Sequence, residues 1–221
     1  RDIGVTGVQT CALPIFGVYP YAEQWRSGVA IIVLTSLLVI SAIRWFWRRS
    51  LILIWIAGIA LAFWLMGGGL GLTPVPAERW GGLSVTLILA IFGIGFAFPL
   101  GILLALGRRS SLPVIRAISV LYIEIVRGVP LITVLFMASI MFSLFMPEGL
   151  RVEQLLRAQV AIILFIAAYL AEAVRGGLQA VPRGQYEAAE ALGLSYWRTM
   201  GLIVLPQALK ISIPPIVNIF I

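Results

Sequence analysis

The 221 residues contain no histidine, one cysteine (Cys11), one lysine (Lys210) and nine acidic side chains. Without histidine, imidazole acid–base catalysis, a Ser-His-Asp arrangement and most zinc sites are excluded. A single cysteine allows neither an internal disulfide nor a thiolate metal cluster. Charged residues make up 11% of the chain, against about 25% in a soluble domain. What fills the space is apolar: 61% of the residues are hydrophobic, and the mean hydropathy is +1.06. Several runs are long enough to cross ~30 Å of hydrocarbon at 1.5 Å per residue. The chain reads as an all-α, polytopic membrane protein.

The net charge of +7 and a pI near 10.3 would suggest nucleic acid as the partner of a soluble protein. Here the arginines sit singly or in pairs at the ends of apolar runs, as topology determinants do. No basic patch is interleaved with aromatics, so no nucleic-acid partner is expected. Residues 1–15, RDIGVTGVQTCALPI, have neither helical nor strand period and resemble a translated sequencing adapter; they are expected to be a non-native tail. Ile221 stops inside an apolar run, so truncation is expected at both ends.

The expected spans are Gly28 to Ile43, Leu51 to Met66, Gly82 to Leu106, a longer Pro113 to Met146, Gln154 to Ala173, and Leu202 to Ile221. RWFWRRS joins the first two, and GGGLGLTPVP forms a loop after the second. One side of the resulting topology carries Arg44, Arg48, Arg49, Arg108, Arg109, Arg116, Arg175, Arg183 and Arg198. The other carries Arg26, Arg79, Arg151 and Arg157, accompanied by Glu23, Glu78, Glu148 and Glu153. The arginine-rich side is therefore assigned to the cytoplasm. Trp25, Trp45, Trp47, Trp64 and Trp80 fall near the boundaries as interfacial belts, and Gly93, Gly95 and Gly101 read as close-packing positions.

Between the last two spans lies a polar segment ending in EAAEALGLSYWRTMGLIVLP, residues 187–206. Pro182 or Gly184 can start a helix there, with good helix formers from Gln185 to Leu192. Gly193 fits the left-handed position that ends a helix, and Ser195 is a natural N-cap for the helix entering the membrane. Ala188, Ala189 and Ala191 would let another protein approach closely, while Glu187 and Glu190 offer carboxylates to a basic partner. The competing reading is an amphipathic connector lying at the lipid headgroups, although such helices usually carry Lys and Arg on the polar face.

Glu187-Ala188-Ala189, then Gly193, Ile203 and Leu205-Pro206 resemble the cytoplasmic EAA signature of permease subunits of bacterial ABC importers. YIEIVRGVPLITVLFMASIMF (122–142) and AYLAEAVRGGLQAVPRGQYEAAEALG (168–193) resemble the polar amino acid branch, closest to general L-amino acid permeases with extra N-terminal spans. The resemblance covers Phe16 to Ile221. It implies a type I importer permease core over 82–221, incomplete at its C-terminal end, preceded by extra helices and a periplasmic loop over 16–81. It further implies a coupling helix at about 185–194 that docks, through Glu187, Ala188, Ala189, Glu190 and Gly193, onto a separate ATPase subunit. The other implied partners are a second, related permease subunit, a periplasmic substrate-binding protein and membrane lipid, in a bacterial inner membrane. No cofactor is expected in this chain. ATP and Mg belong to the partner, because a P-loop needs Gly-Lys-Ser/Thr and Lys210 follows Leu209 in an apolar run.

Glu124 and Arg127 lie three apart on one helical face, and each would cost about 2.5 to 3.5 kcal/mol alone at the bilayer centre. Either Arg127 meets the carboxylate of a transported amino acid, or the pair neutralises itself and fixes packing. Glu172-Ala-Val-Arg175-Gly176 echoes Glu124 to Gly128 and favours the second. As one straight helix Pro113 to Met146 would measure about 51 Å, so Gly128-Val129-Pro130 is expected to divide it. Lys210 and Asn218 are the other translocation-pathway candidates, about 80° apart on a helix that Pro214-Pro215 should kink; Lys210 could equally snorkel to the headgroups. The rival function is an ion-coupled transporter or channel, which would need unpaired acidic residues deep in the spans. No catalytic residue and no metal ligand is expected.

Overall fold

In the computed structural model residues 13–69, 71–141, 144–145 and 152–220 are described. Cys11 and 1–12 of the suspected tail, Leu70, Phe142, Met146, Glu148, Arg151 and Ile221, which enter the expectations above, lie outside them. Among the described residues the structure is helical, with no strand. The elements are α1 (Gln24–Ala42), α2 (Ser50–Gly67), α3 (Gly82–Arg108), α4 (Pro113–Arg127), α5 (Leu131–Met141), α6 (Gln154–Ala180), α7 (Arg183–Ala191) and α8 (Tyr196–Phe220). Among the described residues five helices are long and apolar enough to cross a membrane, and α4 with α5 forms a bent sixth candidate. The chain divides into two compact units, 1–91 with 153–155, and 92–152 with 156–221.

In the first unit a buried polar clasp ties the start of α1 to the end of α2. Arg26, fully buried, donates from Nε to the Leu65 carbonyl at 2.7 Å and from Nη1 to the Thr73 carbonyl at 2.9 Å. Glu23 lies 3.3 Å from Nη1 and accepts from the Thr73 hydroxyl at 2.7 Å. The Tyr19 hydroxyl donates to the Met66 carbonyl at 2.8 Å. A helix end leaves carbonyls without intrahelical partners, and here Tyr19, 47 residues from Met66, and Arg26, 39 residues from Leu65, donate to them. The GGGLGLTPVP loop can close over the arginine because Gly68, Gly69 and Gly71 all have positive φ. At Gly68 an added Cβ would collide with the Thr73 carbonyl. Arg26 is thus a structural cation, where sequence had offered it only as a topology marker. Trp25, Trp45, Trp47 and Trp64 are exposed, as interfacial residues would be.

In the second unit small residues let helices approach backbone to backbone. An added Cβ on Gly101 would sit 2.7 Å from the Leu170 Cβ, and one on Gly177 would overlap the Ala208 carbonyl and the Ser212 hydroxyl. Ser212 donates to Ala173 of α6 at 3.0 Å, locking α8 onto α6. Around these contacts Ile123, Leu170, Val174, Leu178, Val204 and Ala208 form the buried core. Gly93 also packs closely, with Ile162 at 3.3 Å, whereas an added Cβ at Gly95 would meet no atom of this chain within 4 Å, so Gly95 is not a close-packing position within it.

The break between α4 and α5 falls where sequence puts it, and the two helices meet at 102°. Pro130 lacks an N–H and disfavours helical backbone at Val129. Gly128 closes α4 by donating to the Glu124 and Ile125 carbonyls at 3.0 and 3.2 Å. In contrast, α8 runs unbroken through Pro214 and Pro215, so the expected kink does not interrupt it. Its departure from α-helical geometry is a π-helical turn at Met200–Val204.

Candidate functional site

α7 is defined at both ends by backbone chemistry. Pro182 holds extended backbone (φ −58°, ψ 140°), and the helix starts at the next residue. At the other end the Gly193 N–H donates to Glu190 O at 2.8 Å and the Leu194 N–H to Ala189 O at 3.0 Å, with φ +68° at Gly193. That pair of bonds is a Schellman motif, which needs a left-handed residue at the turn. Ser195 follows in extended conformation at the N-cap of α8; its carbonyl accepts from Thr199 at 2.9 Å, while its hydroxyl makes no capping bond. A short helix is therefore joined to a membrane-length helix through only four residues.

One face of α7 packs on the π-helical turn of α8. Ala189 belongs to that face and is fully buried, which removes it from the surface on which sequence had placed it. The one-residue step of about 100° on a helix turns Ala189 inward and leaves Glu187, Ala188, Glu190 and Ala191 exposed. Two side chains brace the first turn: Gln207 of α8 donates to Gln185 at 3.0 Å, and Arg109 donates to the Tyr186 hydroxyl at 3.2 Å with its guanidinium 5.9 Å from the ring centroid.

Glu124 and Arg127 do not pair with each other. Glu124 accepts from Arg108 at 2.9 Å, and Arg127 lies 3.8 Å from Glu172. The same Arg108 nitrogen reaches Glu172 at 3.3 Å, and Arg175 also holds Glu172. The result is a five-membered network from α3, α4 and α6, with Glu172 bound by three guanidiniums. The i,i+3 pair Glu172–Arg175 is kept, whereas Glu124 and Arg127 each turn to another helix, because one carboxylate can accept several donors and Arg108 brings a charge that neither echo motif contains. Arg127 also lies over the Tyr169 ring, 5.5 Å from its centroid, a cation–π geometry. Lys210 and Asn218 are exposed, on the side of α8 away from its buried Ala208–Ser212–Ile216 face. They do not join the charge network. Among the described residues no cluster of three His, Cys, Asp or Glu side chains could hold a metal.

Arg108, Arg109, Tyr186 and Glu172 are the residues whose contacts sequence did not supply. Arg108 and Arg109 carried a signal, a basic pair at a span end, but one that reads equally as topology. Glu172 was visible only as half of a short echo.

The described residues thus form a multi-pass helical membrane protein with a short helix and glycine turn inserted before α8. Residues 97–221 match the model of the family described as "Binding-protein-dependent transport system inner membrane component", and the chain belongs to that family. It is similar to the inner membrane amino-acid ABC transporter permease protein YhdY of Escherichia coli, at 51% identity over 94% of this chain and 57% of that protein. It is also similar to the glutamate/glutamine/aspartate/asparagine transport system permease protein BztC of Rhodobacter capsulatus, at 48% identity over 74% of this chain and 40% of that one. The chain spans about half the length of these two relatives. A crystal structure of an amino acid ABC transporter with histidines superimposes with a TM-score of 0.55 at 33% identity, over 63% of this chain and 64% of that one.

Proposed function

We propose that this chain is the membrane-spanning permease subunit of an ATP-driven importer of amino acids in the bacterial inner membrane. α7 is the coupling helix: its exposed carboxylates dock onto a separate ATPase subunit, which binds ATP and Mg, and its movement is passed to the spans. Substrate arrives on an extracytoplasmic binding protein, and a second permease subunit completes the pathway. The observation that carries this reading is the joint itself, a two-turn helix with an exposed Glu187/Ala188/Glu190/Ala191 surface, closed by the hydrogen-bonded turn at Gly193 and joined to α8 through four residues. A headgroup-lying connector would need an apolar face turned to lipid, whereas the exposed face of α7 carries two glutamates. The rival ion-coupled reading is disfavoured because Glu124 and Glu172 both have arginine partners.

Photo-crosslinking in the native host, with the reactive residue at Ala188 or Glu190, tests the assignment. Capture of a soluble subunit carrying a Walker-type nucleotide site is expected, with buried Ala189 as the silent control. Recovery of lipid alone from both positions while uptake continues would overturn it.

A further inference from the structure

The turn after α3 places two adjacent guanidiniums in contact with two different parts of the transport machinery. Arg109 grips α7 through the Tyr186 hydroxyl and reaches the Leu178 carbonyl at 3.2 Å. Arg108, one residue earlier, binds Glu124 of α4 at 2.9 Å and Glu172 of α6 at 3.3 Å. Consecutive Cα atoms are held 3.8 Å apart by a planar peptide, so a backbone displacement at Arg109 is shared by Arg108. The turn is itself fixed: Arg109 and Ser110 donate to the Leu106 and Gly107 carbonyls at 3.0 Å each. An added Cβ at Gly107 would overlap the Ser119 hydroxyl of α4, so α3 and α4 are in close contact there. Downstream, Glu124 lies four residues before Gly128, and Arg127, which shares Glu172, is the last residue before the 102° break.

We propose that Arg108 and Arg109 are positioning residues that relay movement of α7 to the α4–α5 break, in parallel with the covalent route through Gly193 into α8. A shift of α7 carries the Arg109 grip with it; Arg108 then pulls on Glu124 and Glu172, and the ion-pair network that ends at Arg127, the last residue of α4 before the break, must rearrange. The covalent route drives the last span, and the arginine route drives the broken one, so both respond to one stroke of the coupling helix. This rests on the assignment of α7 as a coupling helix.

The test uses the complete transporter, with its ATPase and binding protein, reconstituted in proteoliposomes. ATP-driven uptake and ATP hydrolysis are measured for the parent, Arg108→Ala, Arg109→Ala and the mild Tyr186→Phe, which removes one hydroxyl. Energetic coupling between sites commonly amounts to roughly 5- to 150-fold; uptake per ATP is expected to fall about tenfold in both arginine variants and less in Tyr186→Phe. A spin label at Leu131, beyond the break, should lose its ATP response in Arg108→Ala, while a label at Arg183, exposed at the start of α7, keeps it. A merely structural arginine would alter both labels together. Unchanged uptake per ATP in the assembled arginine variants, or parallel loss at both labels, would overturn the relay. Absence of ATP-driven uptake in the parent complex would instead overturn the assignment of function beneath it.

Discussion

Gly193 offers a sharp separation between two ways a residue can matter. No atom lies within 4 Å of the position its Cβ would occupy, so side-chain volume meets nothing there. Its backbone, however, is left-handed at φ +68°, which costs an ordinary L-residue roughly 1–2 kcal/mol and asparagine less. Since about 1.4 kcal/mol is a factor of ten, Gly193→Ala should open the turn about 5- to 30-fold more often. Gly193→Val, β-branched at positive φ, should be worse, and Gly193→Asn should remain near the parent. Amide hydrogen exchange of the 186–200 segment reads the turn directly through the Gly193 and Leu194 N–H groups, and uptake per ATP should follow the same order. If asparagine disrupts more than alanine, size decides and the handedness argument fails. An unaltered exchange rate in Gly193→Val would refute the joint altogether.

Other perturbations follow from the same geometry. Glu172→Ala leaves Arg108, Arg127 and Arg175 facing one another without their shared anion, and should destabilise the detergent-solubilised protein by about 3 kcal/mol. Glu124→Ala, whose carboxylate is more than half exposed, should cost no more than about 1 kcal/mol; equal melting shifts would contradict the hierarchy. Gly177→Ala should lower thermal stability by about 1–3 kcal/mol through overpacking against α8, while Gly95→Ala, in open space, should be neutral or gain up to about 1 kcal/mol of helix propensity. Tyr19→Phe removes the donor to the Met66 carbonyl and should loosen the α1–α2 clasp by about 1 kcal/mol, seen as faster exchange at the end of α2 with the 183–220 segment unchanged.

Local covalent rules account for what was legible in the chain. Pro130 and Pro182 set their boundaries because a missing N–H and a fixed φ act on neighbouring residues alone. Gly193 announced a helix end for the same reason, and the apolar runs announced spans because hydrocarbon thickness fixes their length. At Pro214–Pro215 the same rules did not end the helix: α8 continues through both prolines, and its Ala208, Ser212 and Ile216 face is buried. They also paired Glu124 with Arg127, since one helix offers no view of Arg108 on another. Ala189 was assigned outward because nothing in EAA states which side the π-helical turn of α8 will cover.

By itself the sequence determined that the chain lives in a bilayer, where its helices begin and break, and that a short polar helix enters the last span through a glycine turn. Those properties follow from hydropathy, backbone sterics and helix periodicity, which act within about one helical turn or sum along a segment. Tertiary structure alone decided which charges neutralise which, that Arg26 is a buried clasp, and that Arg108 and Arg109 face different elements. The contacts of Arg108 and Arg109 join side chains up to 77 residues apart in the chain, in a unit whose helices approach closely at Gly101, Gly107 and Gly177. An ion pair across helices exists only after packing has chosen the distance, because the Coulomb energy depends on that separation and on the surrounding dielectric.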